Sequence, residues 1–548
     1  MTILYFVLLV GVLIFIHELG HFLFAKLFDV HVKKFSLGFG PRAVGFKFRE
    51  TDYCVSYFPL GGFVKMLGDD PNDEILPEDQ GRAFFQKPLW QRFIVVFAGP
   101  AFNVIFPTII YFFFFITHTE LPPAEIGKVF DHGPAAMAGI KAGDTIVAAK
   151  GKKIRYWEQL RRIVGDNAGQ PVSLTIERKK KRFDRVVTPT LHSRRNEIGA
   201  VKTFGLIGIS PFVELPQIGI SDPGSPASQA DLKTGDLIVS VNGNQVFRWA
   251  DLEKVLKKNR GETLRVSYLR PSSSLSSFFN LHYLSPRQTQ VSPEPVHEAG
   301  RVRYNIGIHS AEFFVTRVQP DSVAYQIGLR PGDRVVEFDG TAVVNWEMIE
   351  LELQSHPEKT HQISWQDHQG DYHKSPLHLK KTLFIDDFRQ EQVRYVFGAQ
   401  NELLWRAADP VPIDHRLSYA ASEAVRKTSE VISVMVMSIV EIFRGKISGS
   451  TIGGPVMLAF TAKVAAEKGW DYFLWMMAII SINLGLINLL PIPILDGGHI
   501  LFFLIEAVRR KPISLRTREY AAYLGLVLLI SLMIFALKND IVRYWFQS

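Results

Sequence analysis

The stretch Phe15–Lys26, FIHELGHFLFAK, sets two histidines and a glutamate inside an otherwise apolar segment. Ionisable side chains in hydrocarbon are costly, and those present there face a protein interior or a water-filled cavity and carry function. Residues i and i+4 of a helix share one face, so His17 and His21 can offer two imidazole nitrogens to a single metal ion while Glu18 stands beside it. A purely structural account, with the histidines satisfied by hydrogen bonds in a bundle core, has to explain all three ionisable groups of HELGH at once. The segment reads as a membrane helix built to hold a site.

A bilayer core of about 30 Å needs roughly 20 helical residues. Four segments are apolar enough to supply them: Thr2–Leu27, Phe93–Thr117, Tyr472–Leu495 and Tyr520–Leu537. The first has no basic residue before Lys26, exceeds the length of a signal-peptide core and lacks a small-residue cleavage site, so it is expected to stay as a membrane helix. Lysine and arginine crowd the Lys26–Arg92 connection between the first two spans (Lys33, Lys34, Arg42, Lys47, Arg49, Lys65, Arg82, Lys87, Arg92) and the Arg509–Arg518 connection. Both should therefore be cytoplasmic, with the large middle region on the far side. Val431–Phe443 is too short to span and follows the polar SEAVRKTSE, so an amphipathic helix lying in the interface is expected there. The 548 residues, +8 net charge and 47% hydrophobic content fit several domains on a membrane, with the basic surplus beside lipid; they do not point to nucleic acid. A single cysteine, Cys54, rules out an internal disulfide framework.

Between the second and third spans the sequence repeats itself. GPAAMAGIKAGDTIVAAKG from Gly133 is matched by SPASQADLKTGDLIVSVNG from Ser225 and SVAYQIGLRPGDRVVEFDG from Ser322. The pairs Gly143-Asp144, Gly235-Asp236 and Gly332-Asp333 step by 92 and then 97 positions, and Trp157, Trp249 and Trp346 keep those steps. Fixed-period self-similarity marks repeated domains. Each unit reads as a short helix, a Gly-Asp turn, a β-rich run and a second helix near its tryptophan. The aspartates are expected to shape turns through backbone hydrogen bonds, with no catalytic part. The units resemble PDZ domains in the permuted form of bacterial envelope proteases, which implies α+β modules that take an extended peptide or a substrate ectodomain by strand addition.

A catalytic zinc site commonly has three protein ligands, so a third is needed at the same depth. NLLPIPILDGGH supplies Asp496 beside Pro491, Pro493, Gly497 and Gly498, and irregular backbone at that depth is tolerated only where it is buried in protein or lines a cavity. The first and third spans run in the same direction with their polar residues late, which brings both sets to the cytoplasmic half of the membrane. His499 is an alternative ligand, with a supporting role expected instead, and His31 is expected to be a solvated loop residue.

HELGH in the first span, AGPAFN (Ala98–Asn103) in the second, three PDZ-like units and N-x-x-P-x-P-x-L-D-G-G from Asn488 to Gly498 together resemble the site-2 protease family of zinc intramembrane metalloproteases. Within it, the match is to the regulator-of-sigma-E branch of Gram-negative envelopes. The resemblance implies that His17, His21 and Asp496 bind Zn2+, that Glu18 is the general base, and that Asn483 and Asn488 help hold an unwound substrate segment. It also implies an inner-membrane location, PDZ-like units in the periplasm, and cleavage of single-span membrane proteins: anti-sigma-factor-like substrates after a first cut, and remnant signal peptides. Relatives usually carry two PDZ domains, whereas this chain shows three. In Phe35–Leu67, AVGFKF, YCVSYF and GGFVKM read as strands, and the edge Gly62–Met66 (Gly62, Phe63, Val64, Lys65, Met66) is expected to pair with substrate.

The expected fold class is a multi-domain membrane protein: an α-helical bundle of about four spans, a small membrane-associated β-hairpin or sheet, and tandem PDZ-like domains outside the membrane. In order, the parts are a first transmembrane helix (1–28), a loop with the β-element (29–92), a second span (93–117), PDZ-like units (124–212, 213–290, 298–385), a linker with the interfacial helix (386–471), and third and fourth spans (472–496, 520–537). A rival reading is a PDZ adaptor anchored in the membrane that kept the metal motif but lost catalysis. A zinc carrier would need more polar residues along the spans.

Overall fold

The computed structural model describes residues 1–546 apart from 70–72, 132, 196–200, 259–260, 273–282, 299–300, 344, 386–390, 402, 446–448 and 512. The chain forms two compact units, one from Met1–Thr119 with Ile413–Ser548 and the other from Glu120–Phe384 with Gln392–Pro412. The boundary expected between 385 and 386 falls against residues outside the described set.

In the first unit, among the described residues, four helices are long and apolar enough to cross a membrane: α1 (Thr2–Leu27), α2 (Leu89–Thr117), Trp470–Asn488 and a fourth over Arg516–Tyr544. Small residues let them approach closely, the usual device between membrane helices. Gly20 of α1 faces the Ala98 carbonyl, and Gly485 lies against Pro100 and Asn103 of α2. The Ser481 hydroxyl donates to the Asn103 carbonyl at 2.8 Å. A second layer backs α1, where Leu9 and Leu13 are buried with Ala462, Ala465, Phe473 and Met477.

Three expectations change here. The third span ends at Asn488, and Asp496 opens a separate helix, Asp496–Arg509. Pro491 and Pro493 have no N–H to continue the ladder, so the chain turns through Leu489–Leu495. Val431–Phe443 is the second half of a 28-residue helix, Arg416–Phe443, whose first half buries Ala420, Glu423, Ala424 and Thr428. Pro455–Glu467, expected as linker, is helical.

The β-element is a folded sheet. The long strands β1 (Val32–Phe48) and β2 (Thr51–Met66) each pair twice. Val32–Leu37 pairs with Gly62–Met66 on one side and Asp52–Val55 on the other, while Arg42–Phe48 pairs with Thr51–Ser56. Gly38 and Gly40, both at φ +90°, allow β1 to bend between its two pairings. Phe35 carries the sheet onto α1, edge-on to Phe15 and Phe22.

The second unit holds three four-stranded antiparallel sheets of one order, each with the second-helix tryptophan as the first helical residue. Asp144, Asp236 and Asp333 are buried and each accepts the backbone amide three residues earlier, from Lys141, Lys233 and Arg330 at 2.7–2.8 Å. They shape turns. In addition, Arg178 Nε lies 2.6 Å from Asp144 and Arg270 Nη2 2.8 Å from Asp236. Strands also run past the expected end of the third repeat: Ala399–Gln400 pairs with Arg317–Val318, and Val411–Pro412 with Glu120–Leu121.

Candidate active site

Helix α1 presents His17 and His21 one turn apart on one face, and the Asp496–Arg509 helix brings its first residue to them. His17 Nε2 is 3.3 Å from His21 Nε2 and 3.2 Å from Asp496 Oδ2, and His21 Nε2 is 3.6 Å from the same oxygen. Ligands about 2.0–2.1 Å from a tetrahedral zinc ion stand about 3.3 Å from one another. The triangle has that size, and two imidazoles with one carboxylate are the donor types that zinc takes, so these residues fit the ion. Glu18, also buried, follows His17 directly.

The other ring nitrogens fix which atoms face inward, and both partners come from α2. His21 Nδ1 lies 2.8 Å from the Val95 carbonyl, which only accepts, so this nitrogen carries the proton and Nε2 keeps a lone pair for metal. His17 Nδ1 lies 3.2 Å from the Asn103 side-chain amide. Asn103 is fully buried, with Nδ2 facing His17 and Oδ1 lacking a partner among the described residues. If His17 uses Nε2 toward a metal, its Nδ1 must donate; exchanging the amide oxygen and nitrogen of Asn103 gives that proton its acceptor. Gly99 makes room, because a Cβ there would overlap the His21 ring. AGPAFN is therefore the supporting face of the site. AGPAFN by itself gives Asn103 no role; the signal for one is an asparagine in an apolar span. At the base of the bundle, Arg92 Nη2 meets Glu506 Oε1 at 2.7 Å, which ties α2 to the helix that begins with Asp496.

The strand Gly62–Met66 runs beside Glu18. A Cβ on Gly62 would press on Ile14 and on Glu18. Among the described residues no strand pairs with the outer edge of Gly62–Met66. Phe63 stacks on Phe39 and lies under the Lys34 ammonium, Lys65 is exposed, and Met66 is buried. Asn488 reaches the site, its Nδ2 3.5 Å from His17 Nε2, whereas Asn483 is exposed further up its helix with no such contact among the described residues. His499 is edge-on to Phe502 and makes no described hydrogen bond to the three ligand atoms. His31 is no free loop residue: its Nδ1 lies 2.6 Å from Asp79 Oδ1, and Arg82 joins Asp79, Asp29 and Glu50 around it.

Comparison with known proteins bears on nearly the whole chain. The sequence pattern that defines Peptidase family M50 matches residues 5–532. The Escherichia coli regulator of sigma-E protease RseP is 28% identical over 549 residues, covering 98% of each chain. Protease RseP of Yersinia pestis is 27% identical over 544 residues with the same coverage. A Vibrio cholerae relative with a zinc-metalloprotease name is 27% identical over 547 residues, again covering 98% of both.

Proposed function

This chain belongs to Peptidase family M50, the site-2 protease family of zinc metalloproteases, and on that footing we propose that it is an intramembrane endopeptidase acting on the transmembrane segment of single-span membrane proteins. One observation carries the reading: three zinc-type donors lie 3.2–3.6 Å apart on helices of an apolar bundle, with Glu18 beside them and next to Glu18 a strand edge that no strand pairs with among the described residues.

His17 Nε2, His21 Nε2 and Asp496 Oδ2 would hold the ion. When bound, zinc supplies a Lewis acid for the scissile carbonyl and a water acidic enough to yield its proton near neutrality. Glu18 takes that proton and returns it to the leaving amine. The edge Gly62–Met66 holds the substrate as an added strand, which satisfies the backbone groups exposed when its helix unwinds. Asn488 stands close enough to hold a substrate carbonyl; Asn483 would act further from the metal.

The sigma-E names of the relatives support a regulatory substrate of the anti-sigma-factor type, trimmed by an earlier protease, with remnant signal peptides as a second class. The basic loops support an inner-membrane orientation with the site in the cytoplasmic half and the repeats, read as PDZ-like peptide binders, in the periplasm. A scaffold that had lost catalysis would have no use for a carboxylate beside three metal donors, which disfavours the adaptor reading.

The test is cleavage of a single-span substrate by the zinc-loaded chain reconstituted in liposomes. Glu18→Gln should keep zinc and lose about 10²- to 10⁴-fold in rate, the range typical of general-base removal. A native rate in that variant would remove Glu18 from the mechanism. Failure of the unaltered chain to cut any membrane segment while cutting water-soluble peptides would overturn the intramembrane reading.

A further inference from the structure

The three repeats share one fold, so a position where one alone breaks the pattern stands out. Fifteen residues after each tryptophan lies a buried strand position: Val172 in the first repeat and Leu264 in the second, 0% and 2% exposed. In the third it is His361, 1% exposed. Six residues after each tryptophan the helix carries Ile163 and Val255, both packed on their cores, and then Glu352. At the turn that closes the central strand stand Lys150, Asn242 and then Asp339. Two aliphatic contacts have thus become a histidine and a glutamate together. The Glu352 side chain is 36% exposed, but burying the His361 imidazole is unfavourable unless partners compensate, so apolar packing does not account for the change.

The turn itself does not need the carboxylate. Asn242 Oδ1 accepts the Arg265 amide at 2.7 Å, and Asp339 Oδ1 accepts the corresponding Gln362 amide at the same distance. The extra charge lies on Asp339 Oδ2, which stands 2.8 Å from His361 Nδ1 and 2.7 Å from Lys359 Nζ. Lys359 Nζ is 3.5 Å from Glu352 Oε1, and His356 Nδ1 is 3.1 Å from the same oxygen. His361 Nε2 faces the His356 carbonyl at 3.0 Å. Both ring nitrogens of His361 therefore face acceptors, the Asp339 carboxylate and the His356 carbonyl. One atom each from Asp339, Glu352 and His361 lies within 4.8 Å of the others.

We propose that Asp339, Glu352 and His361 form a site for a divalent transition ion of the zinc type, a second one in this chain, whose place the Lys359 ammonium holds when it is absent. The charges balance. Two carboxylates face the Lys359 ammonium in the metal-free arrangement, and a dication offsets both of their charges. His361 binds through an Nδ1 that carries no proton while Nε2–H donates to the His356 carbonyl, any second ring proton passing to solvent, and Lys359, half exposed, swings out still protonated. One imidazole with two carboxylates is a zinc donor set, and the exposed His356 is within reach as a fourth ligand.

The test is equilibrium dialysis of the full-length chain in detergent against zinc chloride, with bound zinc counted per chain. The unaltered chain should hold two ions; His21→Ala should hold one; Glu352→Val with His361→Leu, which restores the residues of the second repeat, should hold one; the triple variant should hold none. A single ion on the unaltered chain with none on His21→Ala would overturn the proposal, as would two ions on the Glu352→Val, His361→Leu chain. Lys359→Met, on an otherwise unaltered chain, guards against misfolding of the paired variant. Removing the resident cation should tighten zinc at this site at least tenfold, and unchanged binding would count equally against the site.

Discussion

The His21 ring occupies the volume where a Cβ of Gly99 would stand. This relation joins the metal-donor helix to its support, because the same ring is held by the Val95 carbonyl one turn before Gly99. Gly99→Ala should improve helix propensity by roughly 1 kcal/mol and yet displace the imidazole. Zinc affinity, measured by competition with a chromophoric chelator, is expected to fall about 10- to 100-fold, the effect typical of a lost outer-shell contact. An unchanged affinity would mean that His21 does not need this place.

Asn103 offers a sharper test of the same idea. Asn103→Leu removes the acceptor for His17 Nδ1 and should weaken zinc by about 10- to 100-fold. Asn103→Asp keeps an oxygen facing the ring and should restore most of the loss. Equal loss in both variants would point to packing instead of tautomer control.

Val64 separates strand pairing from metal binding. Val64 is buried in the edge strand, where it pairs with Phe35 of β1, and proline has no amide to donate to a strand pairing. Val64→Pro should leave zinc content unchanged while cleavage of a membrane substrate drops at least tenfold. Full cleavage would reduce Gly62–Met66 to a passive edge.

The third repeat carries a pH-dependent weakness. Where the first two repeats pair their turn aspartates with Arg178 and Arg270, the corresponding residue is Asp367, and Asp333 Oδ1 is buried without a hydrogen-bond partner. Burial, with Asp367 adding to it, pushes the Asp333 carboxyl above its ordinary value, against the Arg330 amide. A carboxyl raised in the folded state binds its proton more tightly there than when unfolded. It therefore destabilises the fold above the raised value, and that penalty disappears as pH falls below the ordinary value of 3.8. Asp333→Asn keeps an acceptor for Arg330 and should raise the melting temperature at pH 7, with the gain shrinking toward pH 4. Thermal unfolding of the two chains across that range decides it; a gain independent of pH would exclude the carboxyl as the cause.

The long apolar helices, the i, i+4 histidine pair and the repeats are legible in the sequence because each depends on near neighbours. About 20 apolar residues suffice for a span whatever surrounds them, the i, i+4 spacing puts His17 and His21 on one face without help, and the 92- and 97-residue steps need no coordinates. Local chemistry failed where distant contacts compete with it. The break after Asn488 follows from Pro491 and Pro493, yet that Asp496 begins a new helix instead of ending the old one depends on how the chain turns back to the donors. Only the tertiary structure decided that α2 supplies the partners of both histidines, since Val95 donates no side chain and Asn103 is 86 positions from His17. The doubling of β1 and β2 is likewise a matter of long-range pairing, and so is the meeting of Asp339, Glu352 and His361, which lie on a turn, a helix and a strand that only the folded sheet brings together.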